Sequence, residues 1–491
     1  MKKICLLVLL LSSTGFSKAE GYFTYSPGAV SIYQNIAALR FETAEKVLRQ
    51  FRTEEPGNLI ACHLESYLDF LKAYLSESDA DYEQLKANRK GRLARIASAD
   101  PESPYFLFLP ADIRLQTAIV RLKFEDYFMA FLDVQKAWKL LLENNRKFPG
   151  FLPNTKDLAT LRAIIGTVPE QYQWGLKLLS GMEGSITEGI ETLDKIAQHD
   201  FVFAKEVTLI RALLALHLEQ KPEKAWQIIS KDTRFSPQSN NLDCFFFATF
   251  ALRCGRNEEA IQLLEKRPED TDASPFAFLD FLTGIARLRR LDTNAEIYFH
   301  KFLVQFKGRH FIKEAWQKMA WIALLKGNVQ QYRIYIEKCL NEGQAASGED
   351  QNALKEAIAG IPPNPNLLKA RLLFDGHYFQ RALELLQQNK TTHFLRESEQ
   401  LEYGYRLGRI YHGLKQYHRA LQAYEVVITE GKSNPAYFAC NAALQSGLIF
   451  ETLGRKDAAN EAFSLCLNMY PDSYRTSLHQ QAKAGLLRLD Q

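Results

Sequence analysis

The side chains able to do covalent or metal chemistry are present in this chain, but they do not stand in the patterns such chemistry uses. Ten histidines are scattered. The closest two, His412 and His418, are six apart, whereas a zinc pair on a helix needs a spacing of about three or four. There is no G-x-x-x-x-G-K-[ST] loop to cradle a phosphate, no H-E-x-x-H, no G-x-S-x-G and no C-x-x-C. We therefore expect no catalytic residue, no cofactor and no metal. An enzyme would need a site assembled in space, within the N-terminal region.

Charge excludes a further class. The 61 basic residues against 57 acidic ones leave +4, without the electrostatic footprint of a nucleic-acid binder. The densest basic run is Lys86, Arg89, Lys90, Arg92 and Arg95. Asp79, Asp81 and Glu83 just upstream partly neutralise it, so it reads as the solvated face of a helix rather than a patch for an anionic partner. What remains is the chemistry of holding another molecule, and that depends on the scaffold.

The scaffold is helical. Apolar residues recur at three- and four-residue spacing through 29–51, 59–75 and 114–144, and no alternating strand pattern of useful length appears. Near the C-terminus a longer period shows. Gly404-x-x-Leu407-Gly408-x-x-Tyr411 is followed by Ala420-x-x-x-Tyr424; Ser446-Gly447-x-x-Phe450 is followed by Ala459-x-x-x-Phe463 and Pro471. In both copies the glycine and the alanine are twelve apart and an aromatic follows the alanine by four. This closely resembles the tetratricopeptide repeat, a helix–turn–helix of about 34 residues. The resemblance implies an all-α, right-handed α-solenoid of stacked helix–turn–helix repeats.

Walking the period backward places further alanine-type positions at Ala382, Tyr332, Ala295, Ala260, Ala225 and Gly189. Spacings are 35 to 39 except for the 50 residues between Tyr332 and Ala382. Trp316-x-x-Met319-Ala320-x-x-Ala323 keeps even the tryptophan of the motif. Small residues such as Gly408, Gly447, Ala370, Ala320 and Ala248 let paired helices approach closely, and the aromatic fills the gap between repeats. The expected organisation is a leader at 1–19, a divergent helical region at 20–168, degenerate repeats at 169–340, a linker or extra helix at 341–366, and C-terminal repeats at 367–491. The prolines at 362, 363 and 365 stop any helix crossing that fourth segment.

In the family this resembles, the first helix of each pair lines a concave groove that takes a peptide or protein segment. Carried onto this chain, the groove candidates are Trp321, Arg371, Tyr405, Arg409 and Asn441. Asparagine can bond a peptide backbone through both its carbonyl and its amide, and arginine forks onto carboxylates. The residues expected to pack the repeats are Gly408, Tyr411, Ala420, Tyr424, Gly447, Ala459, Phe463 and Pro471. The reading is a non-enzymatic protein–protein interaction scaffold binding a protein or peptide of unspecified identity. The alternative is an accessory subunit of a cell-envelope assembly or transport machine, acting through its convex face or N-terminal region.

Compartment is suggested by the start of the chain. Met1-Lys2-Lys3, an apolar run from Ile4 to Leu11 and Ser17-Lys18-Ala19 have the charged, apolar and small-residue parts of a bacterial secretory signal. The run is far short of the ~20 residues that span a bilayer, so no integral membrane segment is expected after cleavage. The expected location is the periplasm or the periplasmic face of the outer membrane. Loss of Lys2, Lys3 and Lys18 would leave 58 basic against 57 acidic residues. Cys62, Cys244, Cys254, Cys339, Cys440 and Cys466 form no regular framework, and buried free thiols are expected of them. Intact-mass analysis of the exported protein should find a chain beginning at Glu20; one still beginning at Met1 would overturn the leader assignment.

Overall fold

A computed structural model describes residues 21–168, 177, 180–388, 394 and 396–489. The expected leader and its Cys5 lie outside the described residues. Among those described there are 24 α-helices and no strand. The chain forms two compact units: one from residues up to Leu214 with Thr271–Ser274, the other from Ala215–Asp270 with Pro275 onward. The first holds α1 (Pro27–Ala37), α2 (Phe41–Glu54), α3 (Ile60–Ser76), α4 (Asp79–Ile96), α5 (Tyr105–Lys123), α6 (Tyr127–Lys147), α7 (Leu152–Ile165), α8 (Ile186–Ile196) and most of α9 (Ala204–His217). The second holds α10 (Pro222–Lys231), α11 (Asn241–Arg253), α12 (Asn257–Glu265), α13 (Phe278–Arg289), α14 (Ala295–Gln305), α15 (Ile312–Leu325) and α16 (Val329–Asn341). It continues through α17 (Gly348–Ala359), α18 (Pro365–Asp375), α19 (Phe379–Gln387), α20 (Glu397–Gly413), α21 (Tyr417–Gly431), α22 (Phe438–Thr452), α23 (Lys456–Leu467) and α24 (Arg475–Leu489). The architecture is all-α, of helix hairpins stacked on their neighbours within each unit.

One turn builds most of the hairpins. Gly255, Gly327 and Gly454 sit between paired helices in the left-handed region, as do Leu39, Glu125, Leu291, His377 and Lys415. The following residue donates its backbone N–H five residues back: Asn328 to Ala323, Gln416 to Tyr411 and Arg455 to Phe450, each at 2.9 Å. This is the Schellman termination, which satisfies the last carbonyls of the first helix while reversing the chain. Glycine adopts this conformation without steric cost, whereas the β-carbon of Leu39 or Leu291 makes it costlier. Turns without glycine are therefore held by the packing on either side, and sequence alone does not mark them.

Paired helices meet ring against glycine. A β-carbon on Gly408 would lie 2.4 Å from the Tyr424 ring, one on Gly447 2.5 Å from the Phe463 ring, and one on Gly284 2.9 Å from the Phe299 ring. All three rings are fully buried. Phe463 is also covered from the far side by Gly485 of α24. The alanine-type positions Ala225, Ala260, Ala295, Tyr332, Ala382, Ala420 and Ala459 are buried without exception, as is Gly189. Tyr411 is a half-buried wall of the same core.

Residues 341–366 carry α17, packed beside α15 and α16. Asp350, fully buried, fastens it. Its carboxylate accepts from the Phe311 N–H at 2.7 Å, the Glu314 N–H at 3.0 Å and the Ser347 hydroxyl at 2.6 Å. It thereby caps the amino end of α15, where a negative charge is favoured. Asn364 then caps α18, whose first residue is Pro365.

Gly447→Val should cost about 1–3 kcal/mol, because the Phe463 ring has nowhere to go. Gly91→Ala is the control: it lies within α4 with no atom near its missing β-carbon, and should stabilise by about 0.5–1 kcal/mol. Urea midpoints of the two variants should move in opposite directions.

Candidate functional site

In the first unit, side chains from several helices gather around one buried ring. Phe203, fully buried, is touched by Tyr25 and Tyr33 at 5.6 Å, His63 and Phe108 at 6.0 Å, and the Lys156 ammonium at 5.0 Å. These partners come from the segment before α1 and from α1, α3, α5 and α7. Around the ring runs a polar network. Glu206 accepts from Tyr33 at 2.6 Å, Tyr67 at 2.8 Å and Lys156 at 2.8 Å. Lys156 also meets Asp157 at 2.9 Å and Asp112 at 3.8 Å. His63 bridges Tyr25 at Nδ1 and Asp112 at Nε2, each at 2.6 Å.

Burial shapes these groups strongly. It drives the Asp112 carboxyl up, but the Lys156 charge and the His63 hydrogen bond prevail and hold it well below the usual carboxylate range. Asp157 goes the other way, pushed up by burial despite Lys156, with Asp112 adding to the rise. Burial alone would lower Lys156, yet Asp157, Glu206 and Asp112 together keep it well above an ordinary lysine.

The second unit presents a different face. Trp321 is 2% exposed; its indole N–H donates to Glu356 at 2.7 Å, and the Arg371 guanidinium stacks on its ring at 5.0 Å. Arg371 meets Asp375 only at 3.9 Å and is about a third exposed. Around it opens a cavity of about 190 Å³, lined among others by Arg289, Lys318, Asn352, Glu356 and Tyr474. Lys318 pairs with Glu314 at 3.2 Å. Next along this face is Tyr405, also 2% exposed. Its hydroxyl accepts from Arg409 at 2.8 Å and from Asn441 at 2.8 Å, while Arg409 lies 4.8 Å over Phe374. Tyr437 stands at 5.8 Å from Tyr405 and at 4.9 Å from Tyr474, joining the two groups of candidates through aromatic contacts.

The five candidates are thus brought onto linked helices, with unequal parts. Trp321 and Tyr405 form the floor. Arg371, Arg409 and Asn441 are half-buried, each held by an aromatic beneath or beside it. His412, on the helix of Arg409, is pushed down to about 4 by burial and the Arg409 charge, so its imidazole is neutral near pH 7. Sequence reasoning missed Arg289, Arg406, Glu356, Tyr437 and Tyr474. Arg406 is buried and forks onto Glu402 at 2.8 and 3.1 Å. Its place beside Tyr405 was a usable signal. Glu356 sits on α17, outside the repeat register, and nothing in its spacing marked it.

Among the described residues no group of three or more His, Cys, Asp or Glu side chains is placed to hold a metal ion, and no helix is long and apolar enough to cross a membrane. The basic run on α4 is tied into ion pairs: Arg89 with Asp133, and Arg92 with Glu65 and Asp69.

The fold is an all-α stack of helix hairpins, consistent with a tetratricopeptide-like solenoid. Tetratricopeptide repeat family models match residues 402–429 and 441–473, the hairpins α20–α21 and α22–α23. No curated protein matches the chain. Among solved structures, the human IFIT1 dimer with m7Gppp-AAAA is 14% identical, covering 96% of this chain and 90% of that one with a TM-score of 0.28. The APC/C hetero-tetramer Cut9–Hcn1 is 14% identical, covering 94% and 95% with a TM-score of 0.27. The P58(IPK) TPR domain is 13% identical, covering 84% and 97% with a TM-score of 0.22. Superpositions this loose carry nothing further about this chain.

Lys156→Met should cost about 3–5 kcal/mol, because Glu206 and Asp112 lose their buried counter-charge. The depressed Asp112 value means its contribution is present above the ordinary carboxylate range and is lost as pH falls through the folded value. Asp157, raised, instead favours the folded state at low pH and loses that contribution as pH climbs through its folded value, so the two separate on the pH axis. Urea titrations should show the variant losing stability less steeply than the parent below about pH 4.

Proposed function

We propose that this protein is a non-enzymatic scaffold that holds a partner protein or peptide against the face running from Trp321 to Asn441. The observation that carries the reading is the pre-organisation of that face. Arg371, Arg409 and Asn441 are held by Trp321, Phe374 and Tyr405 before any ligand arrives. A side chain already held in place loses less freedom on binding, which is where affinity is gained. The leader pattern supports export, to the periplasm or the periplasmic face of the outer membrane.

A second reading is favoured by one separate observation. At the turn between α5 and α6, Leu122, Tyr127, Phe128, Met129 and Phe131 are all exposed, with Ile119 one turn away. Apolar clusters of this kind mark contact surfaces. They suit an accessory subunit of a cell-envelope assembly or transport machine that works through its N-terminal region.

Affinity purification from the native envelope, with bound proteins quantified by mass spectrometry, separates the two. Under the first reading Arg371→Ala with Arg409→Ala reduces partner recovery at least about 30-fold, as expected for two arginine anchors each worth about 1 kcal/mol or more, and Phe128→Asp leaves it unchanged. The reverse pattern would move the function to the α5–α6 turn.

A further inference from the structure

Cys440 and Cys466 face each other across the last matched repeat. Their Sγ atoms are 3.6 Å apart, one on α22 and the other on α23, and both are buried. We propose that they form an oxidisable dithiol, a disulfide site that locks α22 to α23. Closing the gap to a bond of about 2.05 Å takes about 1.5 Å of movement, within reach of two side-chain torsions and a small helix shift.

The other cysteines provide the contrast. Cys244 and Cys339 have backbone carbonyls as their polar neighbours, Leu263 at 3.6 Å and Lys313 at 3.3 Å. Burial pushes Cys244, Cys254 and Cys339 up to about 11, which makes them inert. Cys440 meets the Cys466 carbonyl at 3.4 Å and, unlike them, a second thiol; the contact with the Cys466 sulfur holds it below the ordinary value, while Cys466 is pushed up. Cys440 also lines an open cavity of about 310 Å³ between the turns at Gly431–Ala436 and Asn468–Pro471. Cys440 therefore stands on the wall of an open cavity with a second thiol beside it, which gives a disulfide reagent an approach and the mixed disulfide a resolving partner.

The chemistry needs an oxidant of the disulfide class, RSSR. The Cys440 thiolate attacks one sulfur, forming Cys440–S–S–R and releasing RS⁻. Cys466 gives up its proton, and its thiolate attacks the Cys440 sulfur and expels the second RS⁻. The two thiol protons end on the two RS⁻ groups, so two thiols and RSSR become one protein disulfide and two RSH. The protein is oxidised by two electrons and the reagent reduced by two. Because Asn441 follows Cys440 and bonds Tyr405, the bond would also fix α22 where it meets the face described above. The proposal itself stands apart from that reading.

The full chain, reduced and then incubated folded with oxidised glutathione, tests this by denaturing alkylation and peptide mapping. The expected result is two fewer alkylatable thiols, a linked peptide joining Cys440 to Cys466, and a raised melting temperature that dithiothreitol reverses. In Cys466→Ser, glutathione should remain on Cys440 as a mixed disulfide. Full alkylation of both cysteines after oxidation would overturn the proposal. So would a persistent mixed disulfide in the parent chain, a different pairing, or pairing seen only in denaturant. The parent mapping alone decides, should the variant fail to fold.

Discussion

Three of the repeats rest on an aromatic ring packed against a glycine of the helix before it. A helix hairpin cannot bury its apolar face alone, so each must stack on the next. Stacking demands that two backbones approach and that the remaining gap be filled. Gly408, Gly447 and Gly284 supply the approach; Tyr424, Phe463 and Phe299 fill the gap. Glycine within a helix costs about 0.5–1 kcal/mol relative to alanine, and that cost is met here by ring burial worth several times as much. Phe463, lying between Gly447 and Gly485, couples the last repeat to the closing helix α24 through the same device.

The same helical hardware ends in two different inner surfaces. In the first unit, large aromatics and charged groups from helices far apart in the chain converge on Phe203 and pair with one another around it. Such a network stabilises only when complete, since a buried charge stripped of its partner is expensive. In the second unit the inner side chains are held from below rather than matched across. Tyr405 receives two donors, and Trp321 anchors one carboxylate while supporting one arginine. Their charged ends remain half-buried at a cavity. The difference follows from side-chain size and partner count, as both units are built from hairpins of the same kind.

The cysteines follow the same logic of position. Cys339 and Cys466 both stand seven residues after the alanine-type position of their repeat, where a small side chain is buried, and both are fully buried. What differs is the facing helix. Opposite Cys339 stands a lysine carbonyl; opposite Cys466 stands another thiol. Only the second arrangement has redox chemistry open to it.

How much was legible from residues alone follows from range. Helix type, hairpin period and the packing roles of Ala420, Tyr424, Gly447 and Phe463 depend on spacings of four and twelve, which one hairpin enforces by itself. Those were readable. The candidates Arg371, Tyr405, Arg409 and Asn441 came from the positions that flank the small residue on the first helix of their repeats. Contacts that span repeats were not readable. Tyr33 with Glu206 lies 173 residues apart and Trp321 with Glu356 35 apart, and no local period links either pair. Asp350, Glu356 and the left-handed turns at Leu39 and Leu291 likewise carry no sequence mark. Residue type and spacing determined which helices form and which faces they bury, because those are local properties. Which buried faces close on themselves and which stay open was decided by tertiary packing, because it depends on where helices far apart in the chain finally meet.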